Sequence, residues 1–133
     1  MTPVFLDTVG LIAVWDRTDQ WHDAAAKVYA ELLHEGRPLI STSLVFFECG
    51  NASARRPYRS RVNVLRQALA EMNLLIDPTS DDIDAAWLAF DRGDGGGAGI
   101  VDQVSFAIMQ RLGLMDAFTN DRHFQAAGFA TLF

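Results

Sequence analysis

Cysteine is nearly absent from this sequence: Cys49 is the only one, so no intrachain disulfide can form and a structural zinc site built on thiolates is excluded. Lysine is as scarce, with Lys27 alone. No apolar run approaches the roughly 18 residues that a bilayer span needs. Asp7 interrupts the first apolar stretch, which also lacks the basic start of a secretory signal, so the expected location is the cytoplasm. Positive charge is in deficit too, with 11 Lys plus Arg against 17 Asp plus Glu and a formal net charge of −6. That balance argues against a generic nucleic-acid coat held by overall positive potential. Any basic contact must be local, and one candidate exists: Arg55, Arg56, Arg59, Arg61 and Arg66 follow one another with no acid between Glu48 and Glu71. A patch of that kind would guide an RNA backbone, serve as a solvated helix face or meet a protein equally well.

What is present is enough apolar material for one core. The chain has 133 residues, 50% of them hydrophobic, which predicts a single domain over residues 1–133. Short apolar runs of strand length, at 3–6, 39–40, 74–76, 117–119 and 129–132, alternate with stretches of helical spacing. The clearest helix runs from Gln20 to Glu35, with Trp21, Ala24, Ala25, Val28, Tyr29 and Leu32 on one stripe and Gly36 as its stop. Ser41 or Ser43 is expected to cap the helix that carries Phe46, Phe47 and Glu48. Thr79 and Asp82 have the spacing of a capping box, Gly93 to Gly99 reads as a flexible loop, and Ile100 to Leu112 as a helix stopped by Gly113. Trp15, Trp21, Trp87 and the phenylalanines are expected mainly in the core. This alternation predicts an α/β fold with a mostly parallel central sheet of about four or five short strands and helices on both faces. Ligands in such sheets gather at the carboxyl ends of the strands, where Asp7 and Asp121 fall.

The acids are informative by their isolation. Asp7 is the only charged residue from Met1 to Trp15, Glu48 the only one from Pro38 to Ala54, and Asp102 the only one from Gly95 to Gln110. Each sits in a segment expected to be core, where an unpaired carboxylate is costly and several together repel one another. Any one of them alone would serve equally well as a helix cap or as the partner of a buried arginine. Taken together they point to a hard divalent ion, Mg²⁺ or Mn²⁺, which takes carboxylate oxygens and waters as ligands. Asp121 has weaker support, since Arg122 adjoins it.

Other arrangements of these residue types fit less well. A haloacid-dehalogenase-type phosphatase needs a second aspartate where Val9 stands, and a phosphoacceptor receiver needs a lysine on a late strand. Gly93 to Ala98 satisfies the spacing of a dinucleotide fingerprint but follows a helix instead of a strand, so the turn that seats a pyrophosphate is missing. His22, His34 and His123 are scattered, which favours surface or partly buried roles over ligation, with His123 the one nearest the acids in sequence.

Asp7-Thr8 after the first strand, Glu48 in an apolar helix, Asp102 within Val101 to Met109, and Thr119-Asn120-Asp121-Arg122-His123-Phe124 followed by Ala127-Gly128-Phe129 together resemble the PIN domain. The last two blocks resemble VapC-type toxins of bacterial toxin–antitoxin pairs in particular. The resemblance implies a three-layer PIN-like fold and a ribonuclease that hydrolyses phosphodiester bonds with Mg²⁺ or Mn²⁺. Asp7, Glu48, Asp102 and Asp121 would be its catalytic metal-binding carboxylates. Thr8, Ser105 and Thr119 would be polar supports, each of which would serve equally as a helix cap or an ordinary core hydroxyl; apart from the resemblance, Arg55, Arg56 and Arg59 of the basic stretch are the candidates for RNA contact. A cognate antitoxin and a homodimer are the implied partners. Where relatives carry acidic and serine residues before the third motif, this chain has Gly95-Gly96-Gly97-Ala98-Gly99, with Asp94 the nearest acid. The reading from another class is a PIN-like module that binds RNA or protein without catalysis.

Overall fold

Apolar runs alternating with amphipathic stretches give five strands, all parallel, in the order β3-β2-β1-β4-β5. They are β1 (Val4–Leu6), β2 (Leu39–Thr42), β3 (Leu75–Ile76), β4 (Asp116–Phe118) and β5 (Ala130–Thr131) in a computed structural model that describes every residue from Met1 to Phe133. The helices that flank the sheet are α1 (Thr8–Trp15), α2 (His22–Glu35), α3 (Ser43–Ser53), α4 (Arg59–Glu71), α5 (Ser80–Arg92), the single turn α6 (Asp94–Gly97), α7 (Ile100–Leu112) and α8 (Arg122–Ala126). The expected α/β architecture with a parallel sheet is therefore the observed one, and no helix is long and apolar enough to cross a membrane.

The central strand explains why alternation is missing from its sequence. Val4, Phe5 and Leu6 are all fully buried, as a strand covered on both faces must be. Around them Leu11, Val45, Leu69, Met109, Phe118 and Phe124 build the main core, while Ala86, Val104 and Ile108 form a smaller one between α5 and α7. Gly10 belongs to this packing although glycine weakens a helix: a Cβ built there would lie 2.1 Å from the Phe118 carbonyl oxygen. Only a bare backbone lets α1 lie this close to β4.

Helix ends follow the expected chemistry with one substitution of roles. Thr79 and Asp82 form the reciprocal capping box, and Gly36, Gly93 and Gly113 close their helices in the left-handed conformation. Thr42, instead of either neighbouring serine, caps α3 by accepting from the Val45 amide at 3.2 Å. Ser41 lies one residue earlier, on the strand, and its hydroxyl donates to the Leu6 carbonyl at 2.8 Å.

Two further expectations need correction. Trp21 and Trp87 are about half exposed, at 48% and 49%, and Phe47 and Phe90 are also at the surface. The glycine-rich segment is not a loose loop but a tight left-handed turn, with Gly95 and Gly96 at φ 65° and 69°. The buried Gln103 amide holds it by donating to the carbonyls of Asp94 at 2.8 Å and Ala98 at 3.4 Å, and the His123 Nδ1 meets the Gly95 carbonyl oxygen at 3.0 Å. Asp82 does more than cap α5: Arg111, near the end of α7, donates to it through Nη2 at 2.8 Å and Nε at 3.0 Å. That guanidinium holds the Asp82 carboxyl below the usual carboxylate range.

Candidate functional site

The chain runs from β1 to β2 to β3 on one side of the sheet, then crosses to β4 and β5 on the other. Connections diverge between β1 and β4, which opens a crevice at the carboxyl ends of those two strands. Asp7 is the first residue after β1 and caps α1, with the Val9 amide 3.4 Å from its Oδ2. Asp121 follows β4 and caps α8 through the His123 amide at 2.9 Å. Asp102 lies in the first turn of α7, and Glu48 on α3.

Two threonine hydroxyls tie these elements together. Thr119 Oγ1 donates to Asp7 Oδ2 at 2.9 Å and accepts from the Asp121 amide at 3.1 Å, so one buried hydroxyl fixes the ends of both central strands. Thr8 Oγ1 donates to Glu48 Oε1 at 2.7 Å, joining α1 to α3. Bonds of a hydroxyl to an ionised carboxylate are short and stronger than neutral ones. Ser105 behaves differently, since its hydroxyl donates to the Val101 carbonyl one turn back, at 3.1 Å, within its own helix.

Burial and mutual repulsion dominate the electrostatics. Asp7 is only 2% exposed, and burial, followed by the Asp102 charge, pushes its carboxyl up to about 7 against the pull of the Thr119, Thr8 and Val9 donors. Asp102 is pushed up to about 6, first by burial and then by Asp121 and Glu48, while His123 lowers it. The three ion pairs of the protein are Arg37–Asp116, Arg56–Asp16 and Arg111–Asp82, so none of the four carboxylates is neutralised by an arginine. Cys49 lies near Asp7 and Glu48, but burial drives its thiol up to about 12, which keeps it neutral and unsuited to ligation.

A crevice of oxygen donors, uncompensated by cations and destabilised by their own repulsion, is a donor set that suits a hard divalent ion. The side chains are not yet gathered for one: no three His, Cys, Asp or Glu groups stand close enough together to hold a metal. Asp7 also gives a signed prediction. Its folded-state value lies above the ordinary value near 4, so the metal-free fold binds more protons than the unfolded chain between about pH 4 and pH 7 and loses stability as pH rises through that window. Asp16 and Asp82 are shifted down, so their contribution is kept until pH falls below about 4. Thermal melts in chelator should therefore run higher at pH 5 than at pH 7.5, by roughly 5 °C or more. Added Mn²⁺ should close that gap, and equal melting at both pH values would contradict the account.

The arginines of the 55–66 segment differ in their partners. Arg55 and Arg59 are exposed, Arg56 is turned to Asp16 at 2.9 Å, and Arg66 donates to Asn63. His123 has the partly buried role expected of it, with Nδ1 on the Gly95 carbonyl oxygen, whereas sequence reasoning overlooked Gln103, which holds the same glycine turn beside α7 and α8. The adjacency of Gln103 to Asp102 was the only available signal.

Among solved structures, VapC20 of Mycobacterium tuberculosis, a sarcin-ricin loop cleaving toxin, matches with a TM-score of 0.78 and 27% identity over 96% of each chain. PAE2754 from Pyrobaculum aerophilum matches with a TM-score of 0.64 and 19% identity over 98% of this chain and 84% of that one, a likeness of fold alone. No family model matches the sequence, and no curated protein is significantly similar to it. With its five-stranded parallel sheet, its order of motifs and this structural match over nearly the whole chain, the protein resembles the PIN-domain ribonucleases, and VapC-type toxins among them.

Proposed function

We propose that residues 1–133 form one catalytic domain, a divalent-metal-dependent endoribonuclease that is the toxin of a toxin–antitoxin pair. The observation that carries this reading is the set of buried or half-buried carboxylates without cationic partners near the ends of β1 and β4, with Asp7 held by Thr119 and Glu48 by Thr8, in a fold like that of an RNA-cleaving toxin. Asp7, Glu48, Asp102 and Asp121 would hold Mg²⁺ or Mn²⁺. When bound, such an ion supplies Lewis acidity and charge neutralisation for phosphodiester hydrolysis at neutral pH.

The protein's own contribution is placement. The Thr119 hydroxyl fixes Asp7 and the turn that carries Asp121, and the Thr8 hydroxyl fixes Glu48, so these carboxylates are presented to an ion from fixed positions. Arg55, Arg56 and Arg59 would guide the RNA backbone from the far end of α3. Exposed Phe47, Trp87, Leu88 and Phe90 supply apolar surface suited to an antitoxin or to a second copy in a homodimer. Replacing Thr119 by Val keeps the volume and removes the hydroxyl. Cleavage should fall by about 10- to 100-fold, as for the loss of a group that orients a metal ligand. Unchanged initial rates would show that this hydroxyl matters only for packing.

Incubating purified protein with RNA across an Mg²⁺ or Mn²⁺ titration, with chelator as the control, tests the reading. Cleavage that requires the ion supports it. RNA or antitoxin binding without cleavage at any ion concentration would favour a non-catalytic PIN-like module instead.

A further inference from the structure

A second cleft of about 610 Å³ lies away from the carboxylates, between the end of α1 and the turn that joins α3 to α4. Trp15 and Tyr58 form one wall, their rings nearly parallel with centroids 6.5 Å apart. Arg17, Arg56 and Arg61 also line it. Asp16, the acid in the cleft, is already engaged by Arg56, whose guanidinium stands 6.0 Å from the Tyr58 ring centroid. Arg17 and Arg61 are exposed and make no ion pair, which leaves two free cations on a protein of net charge −6.

The position of this cleft relative to the carboxylates is fixed by two contacts. Thr8 meets Glu48 at one end of α1, and Asp16 meets Arg56 at the other, both across 40 residues. Helix α1 and the α3 segment therefore run side by side in the same direction, and the rise of α1 from Thr8 to Trp15 separates the carboxylates from the cleft by about 10 Å. An extended RNA strand with a phosphate at the carboxylates reaches that far within a few nucleotides. Aromatic faces beside arginines are the chemistry that takes single-stranded nucleic acid without reading its sequence.

Building on the ribonuclease reading, we propose that this cleft is a subsite for single-stranded RNA, taking a base against Trp15 and Tyr58 and a phosphate on Arg17 and Arg61. It adds Arg17 and Arg61, which lie far apart in sequence and line one cleft, to the contacts proposed for Arg55, Arg56 and Arg59. Beyond Trp15 and Arg61 the surface continues into an apolar hollow with Tyr29, Val64 and Leu65, where a protein contact would leave its own signature in the test.

The experiment is fluorescence anisotropy with a labelled single-stranded RNA of about eight nucleotides, within the usual span of such sites, in chelator so that no turnover occurs. Arg17→Ala/Arg61→Ala should weaken binding about tenfold or more and flatten the salt dependence by about 0.7 for each phosphate no longer neutralised. Tyr58→Leu should weaken it about tenfold and leave the salt slope unchanged. Lys27→Ala/Arg92→Ala, which removes the same charge elsewhere on the surface, should cost no more than about twofold, because exposed charges are screened. Affinities within twofold of wild type for the first two variants, or an equal loss for Lys27→Ala/Arg92→Ala, would overturn the subsite. If the Arg17/Arg61 variant binds RNA normally but sediments as a smaller species, the cleft is a contact between copies and the RNA assignment falls. Metal-dependent cleavage measured in parallel separates the two proposals: cleavage with no effect of the cleft variants removes only the subsite. Specific binding through the cleft without cleavage removes only the nuclease.

Discussion

Asn in place of Asp102 is expected to lower metal-dependent RNA cleavage by on the order of 10³-fold, the scale of losing a group that acts directly on the reacting centre. The same substitution should make the metal-free protein melt at a higher temperature. Both follow from one fact: the charge of Asp102 is coupled to Asp7, Glu48 and Asp121. Without it the proposed ion would lose a ligand, and Asp7 would lose the neighbour that helps burial push its carboxyl up. Initial cleavage rates with Mn²⁺, set beside melts in chelator, read the two effects separately. Lower activity with higher stability is a signature that misfolding cannot imitate. Wild-type activity would place the reaction elsewhere on the protein, and a joint loss of activity and stability would make Asp102 structural.

Alanine at Gly10 should cost more than about 3 kcal/mol of stability, far beyond the roughly 1 kcal/mol that helix propensity offers in return. The added Cβ would fall 2.1 Å from the Phe118 carbonyl oxygen and 2.7 Å from its ring. Neither can yield easily, since β4 is held against β1 in the register Val4↔Asp116, Phe5↔Ala117, Leu6↔Phe118. Gly50 provides the control, because it is also helical and a Cβ there meets nothing within 4 Å. Urea denaturation should show Gly10→Ala severely weakened and Gly50→Ala unchanged or up to about 1 kcal/mol more stable. Equal behaviour of the two would mean that α1 shifts freely over β4.

The features legible in the sequence were those set by local contrast. A lone acid in an apolar segment stands out, which is why Asp7, Glu48 and Asp102 were found without any structure, and helix stops at Gly36 and Gly113 follow from backbone chemistry alone. What stayed hidden depends on residues distant in the chain. Nothing near Asp82 announces Arg111, 29 positions away, and nothing near Arg17 announces Arg61. Proximity in sequence also hides differences between neighbours: of the five arginines between 55 and 66, Arg56 is engaged by Asp16, 40 positions away, and Arg66 by Asn63. Aromatic content likewise does not say which face of a helix is covered, and Trp87 is on the open side of α5. The glycine run shows its own limit, because composition reports freedom of φ but not the Gln103 amide that takes that freedom away.

The equal offset of 40 residues at both ends of α1 makes the two neighbouring segments commensurate, like two rulers pinned at matching marks. One residue inserted within α1 would rotate everything beyond it by about 100° and carry Asp16 away from Arg56, while Thr8 and Glu48 stayed joined. Descendants of this chain are therefore free to change length in the connections on either side of the pair, but not inside it.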